Sequence, residues 1–198
     1  MPIYLNAVSD PAQVENQLQI GRSSVKDTYA QILKDLDEAE SLLPDVIEVN
    51  KIARASKGAA IALKAAYTCT CVIGQRNRRC EEAGNSRFKL ESDPATPFTS
   101  YSNNMESIFS IANSSDDNAS VNGAMSSMMS ARDGGRAMCP SSPILYNSKF
   151  WRGDDKRRNL LLYRESDQYY FCDKYQNPTT REEYAPIIRY AEVLLNEA

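Results

Sequence analysis

The chain has 198 residues, of which 42% are hydrophobic and 25% are charged, a composition that suits one globular domain or a large part of one. Its net charge of -3 argues against a nucleic-acid-binding protein, which needs a clustered basic face. The sequence contains no histidine, and this excludes Ser–His–Asp and Cys–His nucleophile systems and removes the commonest metal ligand. An enzyme of this composition would depend on carboxylates, lysine or tyrosine.

The cysteines are odd in number and match no zinc-binding pattern. Cys69 and Cys71 are separated by a single residue, so on a helix their side chains would point in different directions. We expect cysteine to act here mainly as a small buried apolar residue, and the pattern leaves disulfides open. The five are Cys69, Cys71, Cys80, Cys139 and Cys172.

The N-terminal residues lack the basic region and the apolar run of a signal peptide. No stretch reaches the roughly 20 apolar residues that a membrane-spanning helix needs. Taken literally, the sequence predicts a cytosolic chain, on the assumption that Met1 is the natural start.

The first predicted helix spans Val25–Leu43, where apolar residues recur at helical spacing. Ser24 and Asp27 form a start signal, and Pro44 is a stop signal. An alanine-rich helix is predicted over Ser56–Val72, and its small residues would let a neighbouring helix approach closely. Two helices with a short linker predict an antiparallel pair, the unit of an α-solenoid.

The middle of the chain is predicted to be rich in loops. A weaker helix is predicted over Gln75–Ala83, and Ser, Asn, Asp, Gly and Met dominate the stretch that follows. Ser107–Ile111 is predicted as a short strand. Leu160–Tyr163 and Tyr169–Phe171 are predicted as two short strands around a polar turn.

The last helix is predicted to begin at Pro186, since proline suits the first helical position. Within this helix, Arg189 and Glu192 have the i,i+3 spacing of a simple ion pair. The predicted apolar stripe has no cap and no partner helix after it, so we expect the natural helix to continue beyond Ala198. The stripe comprises Ile187, Tyr190, Ala191, Leu194 and Ala198.

Three segments, in this order, resemble the SusD/RagB family of outer-membrane nutrient-binding proteins. Residues 29–44, YAQILKDLDEAESLLP, resemble the family helix Y-x-x-I-x-x-D-L-x-x-A-x-x-L-L-P. Residues 54–65, RASKGAAIALKA, resemble the small-residue helix that follows it in the family. Residues 184–198, YAPIIRYAEVLLNEA, are similar to the helix P-x-x-R-Y-A-E-V-L-L.

The resemblance implies a mainly α fold, in which tetratricopeptide-like helix pairs form an α-solenoid scaffold with long loops and a few short strands. Residues 1–198 are then expected to be a partial SusD/RagB-like domain. Its helical scaffold would cover residues 24–84 and 186–198, and a loop-rich ligand-binding insertion would cover 85–185. Family members are longer at both ends, so we interpret the chain as a fragment.

The resemblance also implies a function. It predicts a non-catalytic, lipid-anchored protein on the outer surface of the outer membrane, although the signal peptide and lipobox are absent here. Proteins of this family capture glycans or peptides for import through a partner, a SusC-like TonB-dependent transporter, and we expect a glycan, an oligo- or polysaccharide, as the ligand here. No cofactor, metal or nucleic acid is expected.

Sugar recognition needs flat apolar faces beside amide, carboxylate or guanidinium groups. Loop aromatics with such neighbours are therefore the candidates. We predict a ligand site drawn from Tyr101, Asn103, Tyr146, Trp151 and Arg152. The alternative for each ring is that it anchors a long loop to the scaffold.

The main rival function is a helical-repeat module for protein–protein interaction, without a small-molecule ligand. A carboxylate-based glycoside hydrolase is a third hypothesis, but the sequence indicates no pair of carboxylates at the required separation. The acidic pairs Asp116–Asp117 and Asp154–Asp155 offer oxygen ligands to calcium. They lack EF-hand spacing, so no metal site is predicted.

Overall fold

The structure, a computed structural model, describes residues 2–18, 20–45, 52–71, 88–166 and 168–197. The fold is mainly helical with a few short strands, as the sequence predicts. The helices are α1 (Pro11–Leu18), α2 (Val25–Leu42), α3 (Lys57–Cys71), α4 (Thr96–Thr99), α5 (Ser120–Gly123), α6 (Met125–Met129), α7 (Pro143–Tyr146), a 3-10 helix (Lys156–Leu160) and α8 (Tyr190–Glu197). The strands are β1 (Ser107–Ile111), β2 (Pro140–Ser141), β3 (Leu161–Arg164), β4 (Tyr169–Cys172) and β5 (Ala185–Arg189). No helix within these ranges has both the length and the apolar composition needed to cross a membrane.

Helix α2 begins and ends where the local signals place it. The Ser24 hydroxyl accepts a hydrogen bond from the Asp27 backbone N–H at 3.1 Å and donates one to the Asp27 carboxylate at 2.6 Å. This arrangement satisfies one of the donors that a helix start leaves unpaired. At the other end, the Leu43 N–H donates to the Ala39 carbonyl. The predicted helix is confirmed to within one residue.

Helices α2 and α3 pack as an antiparallel pair. The rings of Tyr29 and Tyr67 meet edge to face with centroids 6.0 Å apart. Lys64, which is buried, donates to Asp37 and, at 3.0 Å, to Glu40. The early part of α2 thus contacts the late part of α3, and later α2 residues contact an earlier α3 residue. This order of contacts is that of two antiparallel helices.

The main core lies where α3, β1 and α8 meet. Alanine dominates the buried face of α3, and this lets neighbouring elements approach closely, as the sequence predicts. The larger side chains come from the other elements. The buried cluster is Ile61, Ala62, Ala65, Ile108 and Val193, with Ala59, Phe88, Ile188 and Tyr190 packed against it.

The prediction that the last helix begins at Pro186 is wrong. Residues Ala185–Arg189 form β5, which pairs antiparallel with β1, and the helix begins only at Tyr190. Pro186 lies opposite Ser110 in a two-stranded sheet. Both strands of such a sheet are edges, where a residue without an N–H is tolerated.

The later start of α8 also changes which residues are buried and paired. Val193, which is absent from the predicted stripe, is 1% exposed, whereas Ile187 lies in β5 and is 53% exposed. Arg189 Nη1 lies 2.9 Å from the carboxylate of Glu106, a buried residue next to β1. The predicted ion pair between Arg189 and Glu192 is therefore replaced by a pair between distant parts of the chain.

A second, three-stranded sheet has the antiparallel order β2-β4-β3. Its β3–β4 pair confirms the two predicted strands around a turn. Tyr163 lies opposite Tyr170, while Phe171 is 2% exposed and anchors the sheet. This sheet supports the candidate site.

Two further predictions concern the cysteines and the third helix. Cys139 is an exposed free thiol and Cys172 a half-buried one, so the expectation of buried cysteines is wrong for Cys139. The predicted helix Gln75–Ala83, which contains Cys80, lies outside the residues that the structure describes.

Candidate functional site

The candidate site is built on the loop that connects β2 to β3. The Ser142 side chain caps α7 by accepting a hydrogen bond from the Ile144 N–H at 3.2 Å. The Trp151 indole N–H donates to the Leu145 carbonyl at 2.7 Å, which fixes the indole against the end of α7. Asp155 then starts the 3-10 helix by accepting from the Arg157 N–H at 3.1 Å. Each turn of the loop is held by a local hydrogen bond.

An aromatic stack joins this loop to the sheet. The rings of Tyr146 and Tyr170 are nearly parallel, at 15°, with centroids 3.4 Å apart. Tyr163 lies on β3, opposite Tyr170. The centroids of these two rings are 4.9 Å apart and the rings are tilted by 50° to each other. The Arg158 guanidinium lies over the Tyr146 ring, 4.7 Å from its centroid. Because Tyr170 covers one face of Tyr146, the guanidinium occupies the other.

A cavity of about 620 Å³ opens beside this stack. Its volume lies within the range of about 300–1,000 Å³ that is typical of small-molecule sites. The wall combines one aromatic ring with cationic, carboxylate and amide side chains. It is lined by Tyr146, Gly153, Asp154, Asp155, Lys156, Arg158, Asn159 and Leu161.

Asp155 and Arg157 form a tight two-pronged ion pair. Arg157 Nε lies 2.9 Å from one Asp155 oxygen, and Nη2 lies 2.5 Å from the other. The hydrogen bonds from Arg157 lower the pKa of Asp155 to about 2. The same contacts raise the pKa of Arg157, whose guanidinium also lies 5.7 Å from the centroid of the Trp151 ring. Asp155 is therefore a fixed anion that orients Arg157 across the indole.

The tyrosines of the stack share a hydrogen bond. The bond with Tyr146 raises the pKa of Tyr170, since the phenolate would lose a donor and meet a second oxygen. The Tyr170 hydroxyl therefore holds its proton more firmly than a free phenol does, and a protonated hydroxyl can donate to or accept from a ligand.

The structure brings together three of the five predicted site residues. Tyr146 lines the cavity, Trp151 packs against α7, and the exposed Arg152 lies between Trp151 and the cavity residue Gly153. The chemistry that these residue types offer is recognition of a hydroxyl-rich or charged ligand, through ring edges, guanidinium donors and carboxylate acceptors.

Tyr101 and Asn103 lie elsewhere, near the two-stranded sheet. The Tyr101 hydroxyl donates to Glu182 at 3.2 Å, and its ring meets Tyr184 edge to face at 6.0 Å. Burial and the Glu182 carboxylate raise the pKa of Tyr101. Asn103 is exposed, and only its backbone N–H, which donates to Ser100, has a described hydrogen bond. A ligand role for these two residues stays a prediction.

Sequence reasoning did not find Tyr163, Tyr170 or Arg158. The first two were readable in part, because paired strands place Tyr163 and Tyr170 on one face once the turn between them is known. Arg158 gave no such signal. Its place over Tyr146 depends on the path of the loop, which local patterns do not specify.

The comparisons with known proteins find similarity to SusD-like proteins in part of the sequence and in the fold. Residues 1–68 match the family model of SusD-like proteins, described as starch-binding and associating with the outer membrane. No curated protein sequence matches the chain.

Several solved structures share the fold. One is surface glycan-binding protein A from Bacteroides thetaiotaomicron in complex with laminarihexaose, with a TM-score of 0.68 and 19% identity over 85% of this chain and 48% of that one. A SusD-like protein from Bacteroides fragilis gives a TM-score of 0.68 and 20% identity over 90% of this chain and 49% of that one. A laminarin-binding SusD-like protein gives a TM-score of 0.70 and 20% identity over 99% of this chain and 53% of that one.

The chain therefore spans about half the length of the structures that it matches. It is SusD-like in its N-terminal sequence and in its fold, and the resemblance seen in the sequence is confirmed.

Proposed function

We propose that this chain is part of a non-catalytic, surface-exposed glycan-binding protein of the outer membrane. In this proposal it captures oligo- or polysaccharides for import through a SusC-like TonB-dependent transporter. A lipid anchor outside this chain would hold the protein at the membrane. The ligand would bind in the cavity between the β2–β3 loop and the three-stranded sheet.

The observation that carries the proposal is the cavity beside the Tyr146–Tyr170 stack. It combines ring surface with guanidinium, carboxylate and amide groups, which are the partners that sugar hydroxyls need. Solved proteins of the same fold include one in complex with laminarihexaose and one named for laminarin binding, and this makes a glycan the preferred ligand class.

The environment of Asp155 fits a binding role better than the role of general acid in hydrolysis. A glycosidase needs a general acid whose pKa is raised, so that it carries a proton at working pH. Asp155 has the opposite environment, since Arg157 lowers its pKa to about 2. We therefore assign Asp155 to the positioning of Arg157.

One observation favours the rival function, a protein-interaction module. Ile144 is 84% exposed, Phe150 is 79% exposed and Leu145 is 51% exposed, all on the loop that forms the site. Exposed apolar side chains that are close together are common at protein interfaces. Under the leading proposal these residues would meet the transporter or a long polysaccharide.

The test is affinity electrophoresis of the full-length protein against a panel of neutral and charged polysaccharides. Tyr146→Ala should weaken binding about 5- to 30-fold, the effect of losing a 1–2 kcal/mol aromatic contact, because Tyr146 is the ring that lines the cavity. Tyr146→Phe, which keeps a ring, should retain most of the affinity. Tyr4→Ala is the matched control, because Tyr4 is 50% exposed and precedes α1.

The outcomes separate the two functions. Retardation that depends on Tyr146 supports glycan capture in this cavity. No retardation on any polysaccharide, together with retention by a TonB-dependent transporter, would refute glycan binding and favour the interaction module. Sugar release by the pure protein would revive the enzyme hypothesis.

A further inference from the structure

The loop that forms the site has an unusual charge for this chain. Residues 149–158, KFWRGDDKRR, contain five cationic side chains and two carboxylates, a surplus of three positive charges in a chain whose net charge is -3. One of the carboxylates, Asp155, is held in the ion pair with Arg157. Since Arg157 neutralises Asp155, the charged residues that line the cavity are left with Lys156 and Arg158 against Asp154, a surplus of one positive charge.

Arg158 is the cation best placed to meet a ligand. It lines the cavity, it is half-buried, and its guanidinium rests on the free face of Tyr146. Among the described residues, no carboxylate pairs with it. A stacked guanidinium keeps N–H donors for a planar anion, and arginine binds carboxylate and sulfate oxygens through two parallel hydrogen bonds.

Lys156 adds a second positive charge to the same wall. Its ammonium donates to the Ser92 carbonyl at 3.3 Å, a contact that positions the side chain without neutralising its charge. The cavity thus presents Lys156 and Arg158 against one carboxylate outside the Arg157 pair, Asp154.

The position of Arg158 also disfavours a neutral sugar. A neutral ring that stacked on Tyr146 would have to displace the guanidinium, because Tyr170 already covers the other face. An anionic group would instead bind Arg158 where it lies. The cost of moving the arginine and the gain of pairing it both favour the charged ligand.

We propose that the ligand of this cavity is an acidic glycan, one that carries carboxylate or sulfate groups, with Arg158 as the residue that binds the anionic group. Lys156 supports it through charge. This inference rests on the proposed glycan-binding function and names the substrate class of that site.

The experiment uses the full-length protein and pairs of polysaccharides that share a backbone and differ in charge. Polygalacturonate is compared with its methyl ester, and dextran sulfate with dextran, so that carboxylate and sulfate are separate arms. Isothermal titration should show binding at least about tenfold tighter to one charged member than to its neutral partner, the usual size of a charge-assisted contact. Raising the salt concentration should weaken the same binding.

Variants then locate the effect. Arg158→Gln should lose about 10- to 100-fold in affinity for the preferred acidic glycan and little for its neutral partner. Arg158→Lys keeps the charge but not the planar pair of donors, so its affinity for the acidic glycan should lie between that of the natural protein and that of Arg158→Gln. Lys26→Gln is the matched control, since it removes one exposed cation from α2, and it should bind like the natural protein. Circular dichroism and a thermal melt establish that each variant is folded.

The results bear on the two proposals separately. Equal binding to both members of each pair, or binding to neutral polysaccharides only, would overturn the acidic ligand and leave glycan capture standing. Equal losses in Arg158→Gln and Lys26→Gln would also overturn it, because the attraction would then be a general property of net charge. Failure of every polysaccharide to bind would refute the proposed function and, with it, this inference.

Discussion

The ion pair between Glu106 and Arg189 offers a direct test of how the fold is held together. Glu106 is 4% exposed, accepts from Arg189 Nη1 at 2.9 Å and accepts from the Glu91 N–H at 3.1 Å. Its own backbone carbonyl accepts from the Tyr190 N–H at 2.8 Å, where α8 begins. The pair therefore ties the start of β1 to the junction of β5 and α8.

The perturbation is Glu106→Gln, which keeps the shape and removes the charge. Breaking a fully buried pair costs about 3–5 kcal/mol, because the partner charge stays buried. The Arg189 side chain is 32% exposed, and solvent can partly compensate it. We therefore expect the free energy of unfolding to fall by about 1–3 kcal/mol.

The assay is urea denaturation of the full-length protein, followed by circular dichroism. The matched control is Glu192→Gln, since Glu192 is exposed and has the i,i+3 spacing from Arg189 that the sequence suggests as a pair. Glu192→Gln should lower the free energy of unfolding by about 0.5 kcal/mol, because it removes a negative charge from the first turn of α8. Equal effects of the two substitutions, or a larger one at Glu192, would refute the pairing.

Two further predictions follow from burial and register. Burial raises the pKa of Tyr175 from its ordinary 10.0 to about 12, so its contribution to stability is complete below pH 10.0 and is lost as the pH rises towards about 12. Tyr175→Phe should flatten the fall of unfolding free energy over that interval; an unchanged slope would contradict the assignment. Strands β2 and β4 pair Pro140 with Phe171, and continuing this antiparallel register by one residue brings Cys139 opposite Cys172. Both cysteines are free thiols. Oxidised glutathione should therefore link the two cysteines by thiol–disulfide exchange, with release of two reduced glutathione molecules. Peptide mapping under non-reducing conditions should find the two cysteine peptides joined. Glutathione adducts on the separate peptides, without a link, would show that the thiols do not meet.

Much of the scaffold was open to prediction because its signals are local. The Ser24 cap, the apolar spacing of α2 and the small residues of α3 each act within a few residues of the chain. The hairpin of β3 and β4 was likewise readable from alternating apolar and aromatic residues around a polar turn. These features needed no knowledge of what packs against them.

The same local reasoning failed at Pro186, where the strongest signal was ambiguous. Proline suits both the first turn of a helix and an edge strand. The strand forms here because the backbone of Ala185–Arg189 pairs with β1, and the helix therefore begins only at Tyr190. A strand needs a partner, and that partner lies more than seventy residues earlier in the chain.

The candidate site divides in the same way. Composition and loop neighbours singled out Tyr146, Trp151 and Arg152 from the sequence alone, because aromatic and guanidinium groups are the right chemistry wherever they lie. Only the tertiary structure placed Tyr170 under Tyr146 and Arg158 over it. The sequence by itself determined helices α2 and α3 and the Ser24 cap, through interactions between near neighbours, and it carried the resemblance to SusD-like proteins. The cavity and its charge depend on rings and cations from separate segments, and only folding brings those segments together.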